Sequence, residues 1–385
     1  MSMKRMSQAL ALVAVLVTAA WLVQAASPAG RRSCVVSNER TGLGSRSLQE
    51  AVDASVAGDT LFVKGTCVGN STIDKDLTLT GVDNKAFGLP TLDGSGFDDS
   101  VLVISGGVTA TVSNITIANG DASAIAGVRY SGFGGGIRNF GSLTLAHSTV
   151  TGSTSSSQPN AIAQLGASLT LTDSSVSGNE AGGIWTHFGS VTLVRSTIND
   201  NTDLAIDGLW AGPTTLTDST VSGNGGGIGC DECQRVTLNH SVVSGNQGAG
   251  LAGGSFTVND SIVSDNTGPG IYLIGGGTVL NNSVVSDNGL LYGGGGIRIY
   301  GAGVTLNNST VSGNTADYGG GIYLSDFLNP GLLTLADSTI SGNTATIDGG
   351  GIYNIADDVF PPVTFIGANT FSNNSPNDCV GVVGC

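Results

Sequence analysis

Apolar and polar residues alternate at period two along most of this chain, in short runs. Leu143-Thr-Leu145, Leu169-Thr-Leu171, Val191-Thr-Leu193 and Val236-Thr-Leu238 set apolar side chains on one face and threonine on the other. That alternation marks half-buried strands, not helices. A second run follows each triplet: Asp173-Ser-Ser-Val-Ser-Gly-Asn179, Arg195-Ser-Thr-Ile-Asn-Asp-Asn201, Asp218-Ser-Thr-Val-Ser-Gly-Asn224 and His240-Ser-Val-Val-Ser-Gly-Asn246. A third run is Gly-Gly-Ile or Gly-Gly-Leu, as at 225–228, 294–297, 319–322 and 349–352.

The closing asparagines stand at 179, 201, 224, 246, 266, 288, 314 and 343, and subtraction gives intervals of 22, 23, 22, 20, 22, 26 and 29. Three strands in about 22 residues at so steady a spacing predict a coil, with each repeat stacking on the next in parallel. Stacking sets like residues above like. The Ile and Leu columns would fill a narrow interior. The serine column (Ser174 to Ser338) and the asparagine column (Asn179 to Asn343) would hydrogen-bond along the stack. Asparagine also suits the left-handed backbone of a tight corner. About ten coils at roughly 4.8 Å each make a rod about 50 Å long.

Those repeats resemble the right-handed parallel β-helix of the pectate-lyase-like superfamily. More narrowly, they are similar to the repeats of polymorphic outer-membrane proteins, which pair Gly-Gly-Ala-Ile with Phe-x-x-Asn. Here Val or Ile replaces the Phe, with one literal match at Phe371-Ser-Asn-Asn374. The resemblance spans residues 47–375 and implies an all-β, single-stranded β-solenoid. That fold hosts lyases, hydrolases, adhesins and others, so it does not fix an activity.

Residues 1–25 read as a secretory signal, with Lys4 and Arg5, an apolar run over 9–22 and a small-residue site at Val23-Gln-Ala25. A segment at 26–46 precedes the coils. Ser47-Leu-Gln-Glu50 is a capping box opening an amphipathic helix over 47–57, with Leu48, Ala51, Val52 and Val56 on one face and Gly58 as its stop. It would cover the open end of the solenoid. A tail at 376–385 follows the last coil. The reading implies a secreted or cell-surface protein with no integral membrane segment once the signal is removed.

The net charge is −15, and removing Lys4 and Arg5 makes it −17. Nucleic acid and anionic membranes are therefore excluded as partners. Six cysteines in an exported chain are paired as sequence neighbours within that fold: Cys34–Cys67, Cys230–Cys233 and Cys379–Cys385. For Cys230-Asp-Glu-Cys233 a metal or redox role is the alternative.

Catalytic chemistry is harder to find. Of the three histidines, His147 and His240 share the repeat position of Asp173 and Asp218, so they read as corner residues, and only His187 stands elsewhere. The polygalacturonase-like set is absent, as is a lyase calcium cluster with an arginine base. Acidic pairs occur at Asp98-Asp99 and Asp357-Asp358. The residue after the inward Ile of Gly-Gly-Ile should face out, and that column reads Arg138, Trp185, Asp207, Gly229, Ala252, Tyr272, Arg298, Tyr323 and Tyr353. Two positions on lie His187 and Tyr300. Arg138, Trp185, His187, Tyr272, Arg298, Tyr300, Tyr323 and Tyr353 are thus the candidate binding residues, for sugar rings or a cell-surface partner. The leading expectation is an exported, non-catalytic β-helix presenting a long face to glycans. The alternative is a polysaccharide lyase or glycoside hydrolase. A minor alternative is an ice-binding solenoid, suggested by the column from Thr144 to Thr364. No cofactor is expected, with calcium left open. Longer turns at 289–292, 325–330 and 357–362 are placed on the surface that sets specificity.

Overall fold

The computed structural model describes residues 34–122, 132–157, 160–289, 292–325, 331–355 and 363–385. The signal segment, the Asp357-Asp358 pair and most of the three longer turns lie outside these residues.

Three long sheets run side by side, and the chain visits them in turn. One coil shows the plan: Gly182–His187 enters the third sheet, Ser190–Val194 the first and Thr197–Asn199 the second. Each strand pairs in parallel, in register, with its counterpart one coil on: Leu169 with Val191, Val176 with Ile198, Ile184 with Ile206. Among the described residues the second and third sheets each hold thirteen strands, which makes thirteen coils where about ten were expected. The early coils, among them the one containing Leu77–Gly81, depart from the Ser-Gly-Asn repeat. The first sheet has fifteen strands, because Val35–Asn38 and Gly44–Ser45 add an antiparallel edge before Thr60–Lys64. The architecture is a right-handed parallel β-helix.

Alternation aims one apolar set inward. Leu143, Leu145, Val150, Ile162 and Ile184 are essentially buried, each contributing about 1.5–3 kcal/mol relative to exposure. The glycines before each Ile answer a contact between coils. A Cβ on Gly227 would stand 2.0 Å from the carbonyl oxygen of Gly250, and one on Gly320 would stand 2.4 Å from that of Thr344.

Both polar columns form ladders. From Ser148 to Ser309 each serine N–H donates to the serine Oγ one coil on, as Ser196 does to Ser219 at 3.1 Å, and Ser338 closes the column on Asn369 Oδ1. Each asparagine Nδ2 donates to the next Oδ1, from Asn179 to Asn201 at 2.7 Å through Asn343 to Asn374 at 2.9 Å. The left-handed corners, however, fall one residue earlier than expected. Gly178 (φ 61°), Asp200 (φ 55°) and Gly223 (φ 67°) precede the asparagines and make the turn. The asparagines themselves point inward to pair.

A helix, α1, spans Leu48–Asp53, shorter than the 47–57 expected. Ser47 accepts the Glu50 N–H, and Leu48, Ala51 and Val52 are buried in the core. Ser55 ends it early: its N–H and its hydroxyl both donate to the Val52 carbonyl. Val56 then donates its N–H to Asp59 and lies 53% exposed rather than on the buried face. Disulfides join Cys34–Cys67, Cys230–Cys233 and Cys379–Cys385. Among the described residues no helix is long and apolar enough to cross a membrane.

Candidate functional site

The outward column of the third sheet is in register as the repeat requires. Trp185 sits beside Asp207, Asp207 beside Gly229, Ala252 beside Tyr272, Tyr272 beside Arg298, Arg298 beside Tyr323 and Tyr323 beside Tyr353. Ala163 intervenes between Arg138 and Trp185.

The eight candidate residues do not make one stripe. Five converge. Tyr323 and Tyr353 lie 5.8 Å apart between ring centroids, with planes 8° from parallel. Tyr300 meets Tyr272 edge to face at 5.8 Å and Tyr323 at 6.3 Å. The Arg298 guanidinium carbon stands 4.9 Å from the Tyr300 ring centroid, 5.6 Å from that of Tyr272 and 5.9 Å from that of Tyr323. Arg298 also donates from Nε to the Tyr300 hydroxyl at 2.9 Å. Cation–π contact and that hydrogen bond hold the guanidinium among the rings. All five side chains are half-buried. Tyr318 joins them against Tyr353 at 5.0 Å. Sequence reasoning missed it because it precedes its Gly-Gly-Gly-Ile, whereas the column was read from residues that follow.

The other three stand apart. Arg138 is mostly buried and pairs with Asp99 at 3.0 Å. Trp185 was expected to be exposed and is only 5% so. It occupies an outward position, but Phe133 packs on it at 5.0 Å and His187 at 5.3 Å. His187 in turn lies 4.0 Å from Phe188 and 5.6 Å from Trp210.

Phe188 and Trp210, which the sequence reading did not single out, are 68% and 49% exposed. Both have left-handed backbones, with φ of 66° and 47°. For bulky residues that is an outlier, costing about 1–3 kcal/mol each. The signal in the sequence was an aromatic one or two residues before a glycine, Phe188 before Gly189 and Trp210 two positions before Gly212.

A small cleft beside Trp185 is lined by Asn160, Asp203 and Asp207. Burial pushes the Asp207 carboxyl above the ordinary carboxylate range, and the charges of Asp203 and Asp231 add to the effect. At the corner between the first and second sheets, His147 and His240 adopt the same left-handed turn as Asp173 and Asp218, with φ of 48°, 48°, 48° and 50°. Arg195 grips Asp173 with two hydrogen bonds of 2.8 and 2.7 Å, holding its carboxyl below the usual range. On the first sheet, the threonine column runs from Thr60 to Thr364 and breaks at Val279. The neighbouring column becomes a second amide ladder, Asn307 to Asn281 to Asn259 to Asn239, at 2.8–2.9 Å. Among the described residues no group of three or more His, Cys, Asp or Glu side chains is placed to hold a metal ion.

Residues 134–288 and 251–383 match the family described as "Right handed beta helix region". Comparison with curated proteins found no match. Among solved structures, the chain is similar to the periplasmic alginate epimerase AlgG, at 13% identity and a TM-score of 0.50, covering 84% of this chain and 83% of that one. It is also similar to the A-module of the Azotobacter vinelandii mannuronan C-5 epimerase AlgE6, at 13% identity and 0.47, covering 87% and 92%. A third is the catalytic unit of a GH87 α-1,3-glucanase from Streptomyces thermodiastaticus, at 14% and 0.44, covering 88% and 68%.

Proposed function

We propose, for a chain that belongs to the right-handed β-helix family, a role as an exported glycan-binding protein that does not cut its ligand. The observation that carries this reading is the convergence of Tyr272, Tyr300, Tyr323 and Tyr353 around Arg298 on one outward face. Phenol rings offer flat faces for sugar C–H groups, and the hydroxyls and guanidinium offer hydrogen bonds. AlgG shares the fold and is an alginate epimerase; for this chain the argument rests on its own side chains. Export is supported by three disulfides, which persist in oxidising compartments. The cleaved leader at 1–25, the coil body at 47–375 and the tail at 376–385 belong to the same proposal.

A second reading, polysaccharide hydrolysis, is favoured by Asp207. A carboxyl raised by burial beside further carboxylates is the kind of group that donates a proton to a leaving sugar. A polysaccharide panel, with and without calcium, separates the two. Retention without new reducing or unsaturated ends supports binding. Release of ends that is lost in Asp207→Asn supports hydrolysis and overturns the first reading.

A further inference from the structure

We infer that Phe188 and Trp210 form a second sugar-stacking platform, one that takes the ring faces of a neutral pyranose chain. The inference rests on the glycan-binding reading and adds a site and a ligand charge to it.

The fold does not ask for these rings. At the corresponding turn of later coils the left-handed residue is Gly275 (φ 71°) or Gly301 (φ 59°), the residue that adopts this backbone without a clash. Phe188 and Trp210 adopt it at a cost, and Phe188 leaves about two thirds and Trp210 about half of its surface in water. Large aromatics that add strain and still hold half or more of their surface in water point to a ligand outside the chain.

Their orientation is fixed. The two ring planes lie 12° from parallel, with centroids 6.3 Å apart. His187 packs against both. On the next coil Glu232, also left-handed at φ 53°, accepts the indole N–H of Trp210. An aromatic held from two sides loses little freedom on binding. The platform is acidic at its rim. Asp231 and Glu232 are exposed there, in a chain of net charge −15. A polyanionic glycan is repelled, and a neutral one is not. The tyrosine patch lies further along the same sheet. From Trp185 the column passes Asp207, Gly229 and Ala252 to reach Tyr272, four coils or roughly 19 Å away. Gly229 and Ala252 leave that stretch low, so one ligand chain can lie across it.

Acrylamide quenching of tryptophan fluorescence tests this on the processed chain, 26–385. Its two tryptophans are Trp185, 5% exposed, and Trp210, 49% exposed, so the quenchable signal reads Trp210. Cellohexaose, mannohexaose and an alginate hexamer are the probes. At least one neutral hexamer is expected to cut the quenching constant by half or more, and the alginate hexamer to leave it unchanged. Phe188→Gly is expected to abolish the protection without lowering Tm, since glycine relieves the turn. Trp210→Gly is expected to weaken retention on the same polymer about tenfold. Absence of protection by either neutral hexamer, equal protection by alginate, or a Phe188→Gly protein that melts earlier yet stays protected overturns the inference. If Tyr323→Ala loses retention while Trp210→Gly keeps it, the platform fails and the tyrosine site stands. If neither polymer is retained by the unaltered protein, both fail.

Discussion

Asn246 donates its side-chain amide to Asn266 Oδ1 at 2.9 Å, one coil on, while its own Oδ1 accepts both the Nδ2 and the backbone N–H of Asn224. All three residues are buried. Each amide also donates to backbone carbonyls, Asn246 to Val221 and Asn224 to Ser222 and Ile198, but the Oδ1 it meets is that of the same residue one coil on. The ladder therefore ties coil to coil in a way that the non-directional apolar core cannot.

Asn246→Ala should leave the Asn224 N–H buried without its acceptor. The expected loss is about 2–3 kcal/mol. Asn307→Ala removes a 2.8 Å amide bond of the half-buried outward ladder, and water can replace it; its loss should stay under about 1 kcal/mol. Urea denaturation of the two variants checks the ordering, which reverses if the inner ladder is incidental to stability.

Asp59 is buried and accepts from Arg40 at 2.6 and 3.0 Å, from Asn38 at 2.7 Å and from the Val56 N–H at 3.0 Å. The Arg40 hydrogen bonds, then those of Val56 and Asn38, hold its carboxyl well below the usual range. A depressed folded-state value stabilises the protein above the unfolded value of about 3.9 and loses that stability as pH falls further. Tm should therefore fall steeply below about pH 4, and Asp59→Asn should flatten that limb while lowering Tm at neutral pH. Calorimetry from pH 2.5 to 7 reads both effects.

Asp207 carries the opposite sign. Its folded value is raised by burial, so its contribution is favourable at low pH and is lost as pH rises past the unfolded value. Asp207→Asn should raise Tm at pH 7 and leave it unchanged near pH 3. An unchanged or lower Tm at pH 7 would mean that the carboxylate is satisfied by a partner.

Cys34–Cys67 closes a loop of 33 residues in sequence and ties the antiparallel edge to an early coil. Replacing both by alanine should cost about 4 kcal/mol from loop entropy. Chemical denaturation of Cys34→Ala/Cys67→Ala against the unaltered protein measures it.

The coil was legible because stacking repeats one constraint many times: each inward Leu, each ladder Asn and each Gly before Ile marks the same contact on successive coils. Alternation alone placed an early strand at Leu77–Gly81, but the early coils lack the closing Asn that numbers the repeats, so the total came out at about ten. The outward face of the third sheet was only half legible. Register put Tyr272, Arg298, Tyr323 and Tyr353 in one column correctly, since alternation alone decides it. Alternation does not say what covers an outward side chain. Phe133 covers Trp185, and Asp99 takes up Arg138, through residues distant in sequence. Phe188 and Trp210 escaped notice because an aromatic in a left-handed turn runs against local preference.

The measurement closest to the central claim is the affinity of the processed chain for the polysaccharide that retains it best, compared with Tyr323→Ala and Arg298→Ala. Each variant should bind at least about tenfold more weakly, a loss of about 1.4 kcal/mol, with Tm within a few degrees of the unaltered protein. Full affinity in both variants would contradict the assignment of the tyrosine–arginine patch as the glycan site.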